Sequence, residues 1–371
     1  MSSAEPATIA RTQRLAALLR EHELDVLLVN EPVNLRYLTS FTGSNGLALV
    51  GVSEDAGRCF FTDFRYATQS AEQVPEIYDR QVVQLDLLEA AARRLAEQHD
   101  GGRLGFDDGA LTVKQYRRLR ELLPAAWEPI PAAGLVEGLR ELKDAAELQR
   151  IRAAAELADE ALRGVLEAGL AGRSERDVAI DLELRMRRLG ASAPSFSSIV
   201  AAGPHSALPH AEAREVTIPR DTLVTIDWGA LLDGYCSDCT RTFATGERLP
   251  TEDREVYELV LRAQRAGLAA VRPGPSGRAV DGVAREIIET AGHGEHFGHG
   301  LGHGVGLEVH EAPRLSRTAA EQPLRAGHVV TVEPGVYIPG RIGVRIEDLV
   351  AVTEDGHAVL NGLPKELTVV E

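Results

Sequence analysis

VTIDWGALLDGYCSDCTRTF, residues 224–243, reads as two strands joined by a turn. Val224, Ile226 and Trp228 make the first arm apolar, and Leu231-Leu232-Asp233-Gly234 joins it to the second. Strands over 223–230 and 235–243, joined by a four-residue loop at 231–234, set 230 opposite 235 and 227 opposite 238. Side chains alternate faces along a strand, so Asp227 and Asp238 then share a face, with Cβ atoms roughly 4.5–5.5 Å apart. Facing carboxylates repel, and a charge in an apolar strand is seldom buried unless it is paired or bound to metal. A divalent cation shared by both acids removes the conflict. An edge hairpin with its acids in solvent is the plain alternative for these two residues taken alone.

Further along, TVEPGVYIP (331–339) and GVRIED (343–348) repeat the arrangement. With strands over 329–333 and 343–352 and a loop centred on Gly340, position 333 pairs with 347. Glu333 and Glu347 then stand on one face of a ladder built from Val329, Val330, Val332, Val344, Ile346 and Leu349. Pro334 removes a ladder donor directly after Glu333, which suits a strand end or a bulge. Two hairpins with paired acids at matching places are hard to ascribe to chance.

Between the hairpins lies a Gly/His stretch holding His293, His296, His299, His303 and His310, five of the chain's 11 histidines. Beside four convergent carboxylates they read as a metal and substrate site that supplies a nitrogen ligand. Glycines at 300, 302, 304 and 306 allow close backbone approach. Two aspartates, a histidine and two glutamates are too many for one tetrahedral zinc and include no thiolate. They suit two divalent ions about 3.5–4 Å apart, manganese first, with cobalt, zinc or iron also fitting. Such a pair holds a hydroxide at neutral pH, a nucleophile suited to amide hydrolysis.

Outward from this core, Asp144 with Glu147 three residues later marks a helix start, followed by Leu148, Ile151, Ala155, Ala158, Leu162 and Val165 at helical spacing. A second helix starts after Ser174 and stops near Gly190; two more are expected over 252–271 and 277–291. The chain beyond Leu139 therefore reads as two copies of helix, helix, hairpin. Before it, apolar runs at 26–29, 47–52 and 59–61 alternate with helical stretches near 11–20, 87–98 and 114–123, the pattern of an α/β domain over 1–138, with 139–371 as a second domain.

Composition narrows the function. The 371 residues carry 40 basic and 56 acidic side chains, a formal charge of −16 that disfavours nucleic acid and anionic membrane as partners. No apolar run is long enough to span a bilayer, and residues 1–15 lack the basic and apolar regions of a secretion signal. Three cysteines, Cys59, Cys236 and Cys239, are too few for a disulfide scaffold and fit a reducing cytoplasm. Cys236 and Cys239 form half of a zinc-thiolate set and lie in a strand-like run, so packing is their expected role.

SIVAAGPHSALPHAEA (198–213), HGLGHGVGLEVHE (299–311) and the hairpin motifs together resemble the aminopeptidase P and prolidase family of pita-bread metallopeptidases. The resemblance covers the chain from about residue 140, and Phe61-Thr62-Asp63-Phe64-Arg65-Tyr66 looks like the family's creatinase-type N-terminal domain. It implies an α+β catalytic domain whose two halves curve one mostly antiparallel sheet around the site. It also implies hydrolysis of Xaa-Pro bonds in proline-containing peptides, and a homodimer. Asp238 and Glu347 would bridge two metals, with Asp227 completing one site and His303 and Glu333 the other. Glu333 would be the general base, and His310 would stabilise the tetrahedral intermediate. His210 and His299 would line the substrate pocket, Arg345 would orient substrate or Glu347, and Tyr337 would stand at a pocket position. Proline lacks the amide N–H and fixes φ, so its bonds call for a dedicated peptidase. A metal-free creatinase-like hydrolase would lack the five ligands, and a non-catalytic binding module would be expected to lose some. All five are present, as are the accessory histidines.

Overall fold

The alternation of short apolar runs and helical periods before residue 140 resolves into one mixed sheet. In the computed structural model, residues 5–52, 57–84, 86–98 and 101–371 are described. The first four residues of the stretch read for a secretion signal lie outside them. The chain divides into two units, Met1–Arg140 and Glu141–Glu371. The first contains α1 (Glu5–Glu21), β1 (Val26–Val29), α2 (Pro32–Thr39), β2 (Gly46–Gly51), β3 (Cys59–Thr62), α3 (Ala67–Gln73) and β4 (Asp79–Val82). It continues with α4 (Leu87–Gln98), β5 (Gly102–Phe106), α5 (Val113–Leu122), β6 (Trp127–Pro131) and α6 (Leu135–Arg140). The strand order is β4-β3-β2-β1-β5-β6, with β1 parallel to β5 and antiparallel to β2. β1 is buried along its length, which is why it reads as an unbroken apolar run.

The second unit opens on α7 (Ala145–Glu167). Asp144 accepts from the Glu147 N–H at 2.9 Å and the Glu147 carboxylate accepts from the Asp144 N–H at 3.0 Å, the reciprocal cap expected there. α8 (Glu175–Leu189) follows, started by Ser174 and ended by Gly190 at φ 117°. Next come β7 (Ala193–Pro194), β8 (Ile199–Ala202), β9 (Leu223–Trp228), β10 (Ala230–Leu232), β11 (Tyr235–Cys236) and β12 (Cys239–Ala244). The second copy comprises α9 (Thr251–Ala270), α10 (Gly277–Thr290), β13 (Gly302–Gly304), β14 (Glu311–Leu315) and β15 (Val329–Val332). It ends with β16 (Gly335–Ile338), β17 (Ile342–Arg345), β18 (Asp348–Val352) and β19 (His357–Val359). Val224 and Ile226 are wholly buried among residues of α7 and α8, and each such side chain contributes about 1.5–3 kcal/mol.

The first hairpin differs from the expected register. Leu232 pairs with Tyr235 and Leu231 with Cys236, so the loop is Asp233-Gly234 alone. Both residues have positive φ, 49° and 81°, which is the two-residue turn that Asp-Gly favours. Asp227 therefore faces Thr240, not Asp238. The slip is two residues, and a slip of two preserves the face, so Asp227 and Asp238 become diagonal neighbours. The second hairpin keeps the expected register: Ile338 pairs with Ile342 and Val332 with Asp348, about a turn centred on Gly340.

Neither hairpin is continuous. The first breaks between β9 and β10 at Gly229 and between β11 and β12 at Ser237-Asp238. The second breaks between β15 and β16 at Glu333-Pro334 and between β17 and β18 at Ile346-Glu347. Three of the four acids stand at these breaks, where an irregular ladder re-aims side chains. The hairpins meet side by side: the Glu347 N–H donates to the Thr240 carbonyl at 3.0 Å, and the Thr225 hydroxyl donates to the Gly343 carbonyl at 3.0 Å.

Candidate metal centre and substrate cavity

Asp227 and Asp238 from the first hairpin, Glu333 and Glu347 from the second, and His303 from β13 converge on one cavity of about 920 Å³. Asp238, His303 and Glu347 each offer one ligand atom within 4.8 Å of the others. His303 Nε2 is 3.2 Å from Glu333 Oε1 and 3.6 Å from Asp238 Oδ2. Its Nδ1 faces the Gly304 carbonyl at 3.1 Å, which can only accept, so Nδ1 carries a proton and Nε2 points at the acids. Gly302 and Gly304 make this placement possible. A Cβ on Gly302 would lie 2.0 Å from the Thr331 carbonyl oxygen, and one on Gly304 would lie 2.1 Å from that of Ala312.

Four carboxylates in so small a space strain one another's ionisation. Burial pushes Asp238 well above the usual carboxylate range, and Glu347, Asp227 and Glu333 push it further. Burial, then Glu333 and Asp227, raise Glu347 likewise. Asp227 is raised by burial although Arg345 opposes the shift. Burial also acts upward on Glu333, but the hydrogen bond and charge of His303 outweigh it and hold Glu333 at about 2. One Asp227 oxygen, Oδ1, is buried with no hydrogen-bond partner among the described residues. An orphaned buried oxygen, mutually repelling acids and an oxygen-rich donor set with one imidazole fit divalent cations.

Arg345 organises the acids. Its Nη2 donates to Asp227 Oδ2 at 2.6 Å, its Nε to the Thr240 hydroxyl at 3.0 Å, and its Nη1 to the Tyr337 hydroxyl at 2.7 Å and the Pro209 carbonyl at 3.3 Å. Thr240 in turn donates to Glu347 Oε2 at 2.7 Å. His299 Nδ1 donates to the Gly300 carbonyl at 2.7 Å, leaving Nε2 to accept from the Tyr337 hydroxyl at 3.0 Å. Burial lowers the His299 pKa and raises that of Tyr337 to about 12, so both are neutral near pH 7. The His310 ring lies 4.3 Å from that of His303, centroid to centroid, and burial lowers its pKa. His210 lines the same cavity and is exposed.

All ten residues given a site role from sequence thus border one cavity. Thr240 and Thr331 were not foreseen. Thr331 accepts from the His303 N–H at 3.1 Å and donates to Glu333 Oε1 at 2.9 Å. Each threonine stands two residues from an acid, Thr240 from Asp238 and Thr331 from Glu333, and strand alternation was the signal that pointed to them. Arg314, also on the cavity, carried no motif that marked it.

A two-hairpin cage of acids and one histidine, packed against paired helices, is the architecture of pita-bread metallopeptidases. The chain belongs to metallopeptidase family M24, whose profile matches residues 149–354, and the creatinase/prolidase N-terminal domain matches residues 11–142. A solved Xaa-Pro dipeptidase from Bacillus anthracis is 39% identical, with a TM-score of 0.92 over 98% of this chain and 99% of that one. An X-Pro aminopeptidase structure from Thermotoga maritima is 33% identical, with a TM-score of 0.88 over 96% of this chain and 100% of that one. An Xaa-Pro dipeptidase of Pyrococcus furiosus is 37% identical over 358 residues, 96% of this chain and 99% of its own length. Among the described residues no helix is long and apolar enough to cross a membrane.

Proposed function

We propose that this chain hydrolyses Xaa-Pro peptide bonds with two divalent ions held by Asp227, Asp238, His303, Glu333 and Glu347. One observation carries the reading: ligand atoms of Asp238, His303 and Glu347 lie within 4.8 Å of one another, on a cavity that Asp227 and Glu333 also line. Relatives named for both Xaa-Pro dipeptidase and X-Pro aminopeptidase activity support the substrate class. The ions, when bound, supply Lewis acidity toward a carbonyl and lower the pKa of water.

The chain's own groups do the rest. Glu333 is ionised and so able to accept a proton from the attacking water. His310 faces the metal-side histidine and serves the developing oxyanion. His210, His299 and Tyr337 line the pocket for the substrate, and Arg345 holds Asp227 and Tyr337 in fixed relation. Arg314 lies on the cavity, where its charge adds to the lowering of the His310 pKa by burial and His303. A dipeptide places its free carboxylate just beyond proline, and Arg314 offers the counter-charge, so dipeptides are the preferred substrates. The oxygen-rich donor set without thiolate favours manganese. Three buried free cysteines suit the cytoplasm, and the family resemblance supports a homodimer, which light scattering measures.

The test is manganese-loaded protein given an Xaa-Pro dipeptide and an Xaa-Pro-Xaa tripeptide side by side. Faster dipeptide cleavage is expected, and Arg314→Ala should narrow the difference. Hydrolysis of neither peptide overturns the reading.

A further inference from the structure

The second helix of each half carries a buried ionic group that the chemistry above does not use. On α10, Asp281 and Arg285 have side chains only 1% and 8% exposed. Arg285 Nε donates to Asp281 Oδ2 at 2.7 Å and its Nη2 to Oδ1 at 2.8 Å. Both residues also reach out of the helix. Arg285 donates to the Phe297 carbonyl at 3.0 Å and to the His299 carbonyl at 2.7 Å, and Asp281 Oδ1 accepts from the Leu301 N–H at 2.9 Å. The guanidinium lies 4.1 Å from the Phe297 ring centroid.

The first half has its counterpart on α8. The Glu175 side chain is 1% exposed. It accepts from the Ala202 N–H at 2.9 Å and the Arg214 N–H at 3.2 Å, and meets His205 Nδ1 at 2.8 Å. Ala202 and Arg214 lie on either side of His210 in sequence, on the connection from β8 to β9.

Burying charge is costly, and apolar replacements of similar volume are often as stable. What an ionic group adds is directional geometry. The segment around His299 has glycine at 298, 300 and 302, so its own backbone gives little rigidity. A planar guanidinium with fixed donors holds the carbonyls of Phe297 and His299 in one relation. From His299 the relation passes to Tyr337 at 3.0 Å and from Tyr337 to Arg345 at 2.7 Å.

We propose that Glu175 and the Asp281–Arg285 pair are positioning residues, one set per half, which fix the His210 and His299 segments where the substrate pocket needs them. The proposal rests on the reading of those two histidines as pocket residues.

Glu175→Gln, Arg285→Lys and Asp281→Asn keep side-chain volume and weaken the clamp. Three measurements decide the matter: amide exchange by mass spectrometry over residues 202–214 and 297–301, manganese affinity by calorimetry, and kcat/KM on an Xaa-Pro dipeptide. Each variant should speed exchange in its own segment and change manganese affinity less than about threefold, while lowering kcat/KM roughly tenfold. Arg285→Lys added to His299→Ala, or Glu175→Gln added to His210→Ala, should cost no more than the histidine variant alone. Unchanged exchange, or losses that multiply in the double variants, would overturn the proposal. Should Arg285→Lys not fold, Asp281→Asn, which removes the charge that holds Arg285 and weakens the acceptor of the Leu301 amide, is read by the same criteria. The exchange readout needs no substrate. A parent protein inactive on Xaa-Pro peptides would sink the assigned function, while exchange in the variants would still decide the positioning.

Discussion

Arg345 Nη2 stands 2.6 Å from Asp227 Oδ2, so this acid has a built-in guanidinium counter-ion. The two acids pushed furthest from ionising, Asp238 and Glu347, lack that partner. With His303 holding Glu333 ionised, the site divides into two acids with a cationic partner of their own and two, Asp238 and Glu347, that await neutralisation.

Replacing Arg345 by Met leaves Asp227 buried without its cation. Breaking a buried pair from one side costs about 3–5 kcal/mol. Denaturant unfolding of the metal-free protein should show a loss of that order, and a much smaller loss once manganese is bound. An equal loss in both states would mean that no cation comes near Asp227.

Glu347→Gln should act oppositely on folding and on binding. The neutral amide removes a charge that burial and its neighbours disfavour, so the metal-free protein gains roughly 1 kcal/mol. Manganese affinity, read by calorimetry, should fall more than about a hundredfold with the loss of an anionic ligand. A variant that binds manganese like the parent would remove Glu347 from the ligand set.

Adding a methyl group at Gly302 tests the packing beneath His303. The new Cβ would come 2.0 Å from the Thr331 carbonyl oxygen, so β13 must move away from β15. Gly302→Ala should cost about 1–3 kcal/mol and weaken manganese binding together with it. Unaltered affinity would show that His303 does not depend on this close approach.

A pH response is expected at His328, which is 3% exposed. Its Nδ1 accepts from the Arg325 N–H at 3.1 Å, an acceptor that protonation would destroy. Burial, then Arg325 and Lys143, lower its pKa from 6.5 to about 4. The unfolded chain therefore takes up this proton first as pH falls. Stability from this group is full above about pH 6.5 and is lost progressively down to about pH 4, up to about 3 kcal/mol in all. His328→Gln should flatten that part of the stability curve, measured as parent minus variant; parallel curves would refute it.

The sites where sequence reasoning held and where it slipped follow from the physics of each segment. Gly340 centres the second turn, and the register from Ile338↔Ile342 back to Val332↔Asp348 follows from it. In the first hairpin a four-residue loop was expected where Asp233-Gly234 closes a two-residue turn. Because a strand's faces alternate with a period of two, the error moved Asp238 along its face but not off it, and the acid cluster survived. β13 and β14 were not foreseen, since the Gly/His stretch lacks the apolar alternation that marks a strand. α2 was missed for a related reason. It is eight residues long and buries Asn34 and Thr39 alongside Leu35 and Leu38, so no apolar stripe sets it apart. The long helices α7, α8 and α10 were legible because their side-chain caps and periodicity agree, and α9, which has no side-chain cap, by its length and periodicity.

Anomalous diffraction from crystals grown with manganese tests the central claim most directly. Two peaks are predicted, both within ligand distance of the carboxylates of Asp238 and Glu347, with Asp227 on one of them and Glu333 and His303 Nε2 on the other. A single peak, or manganese bound elsewhere with these five side chains left as they are, would contradict the two-metal account.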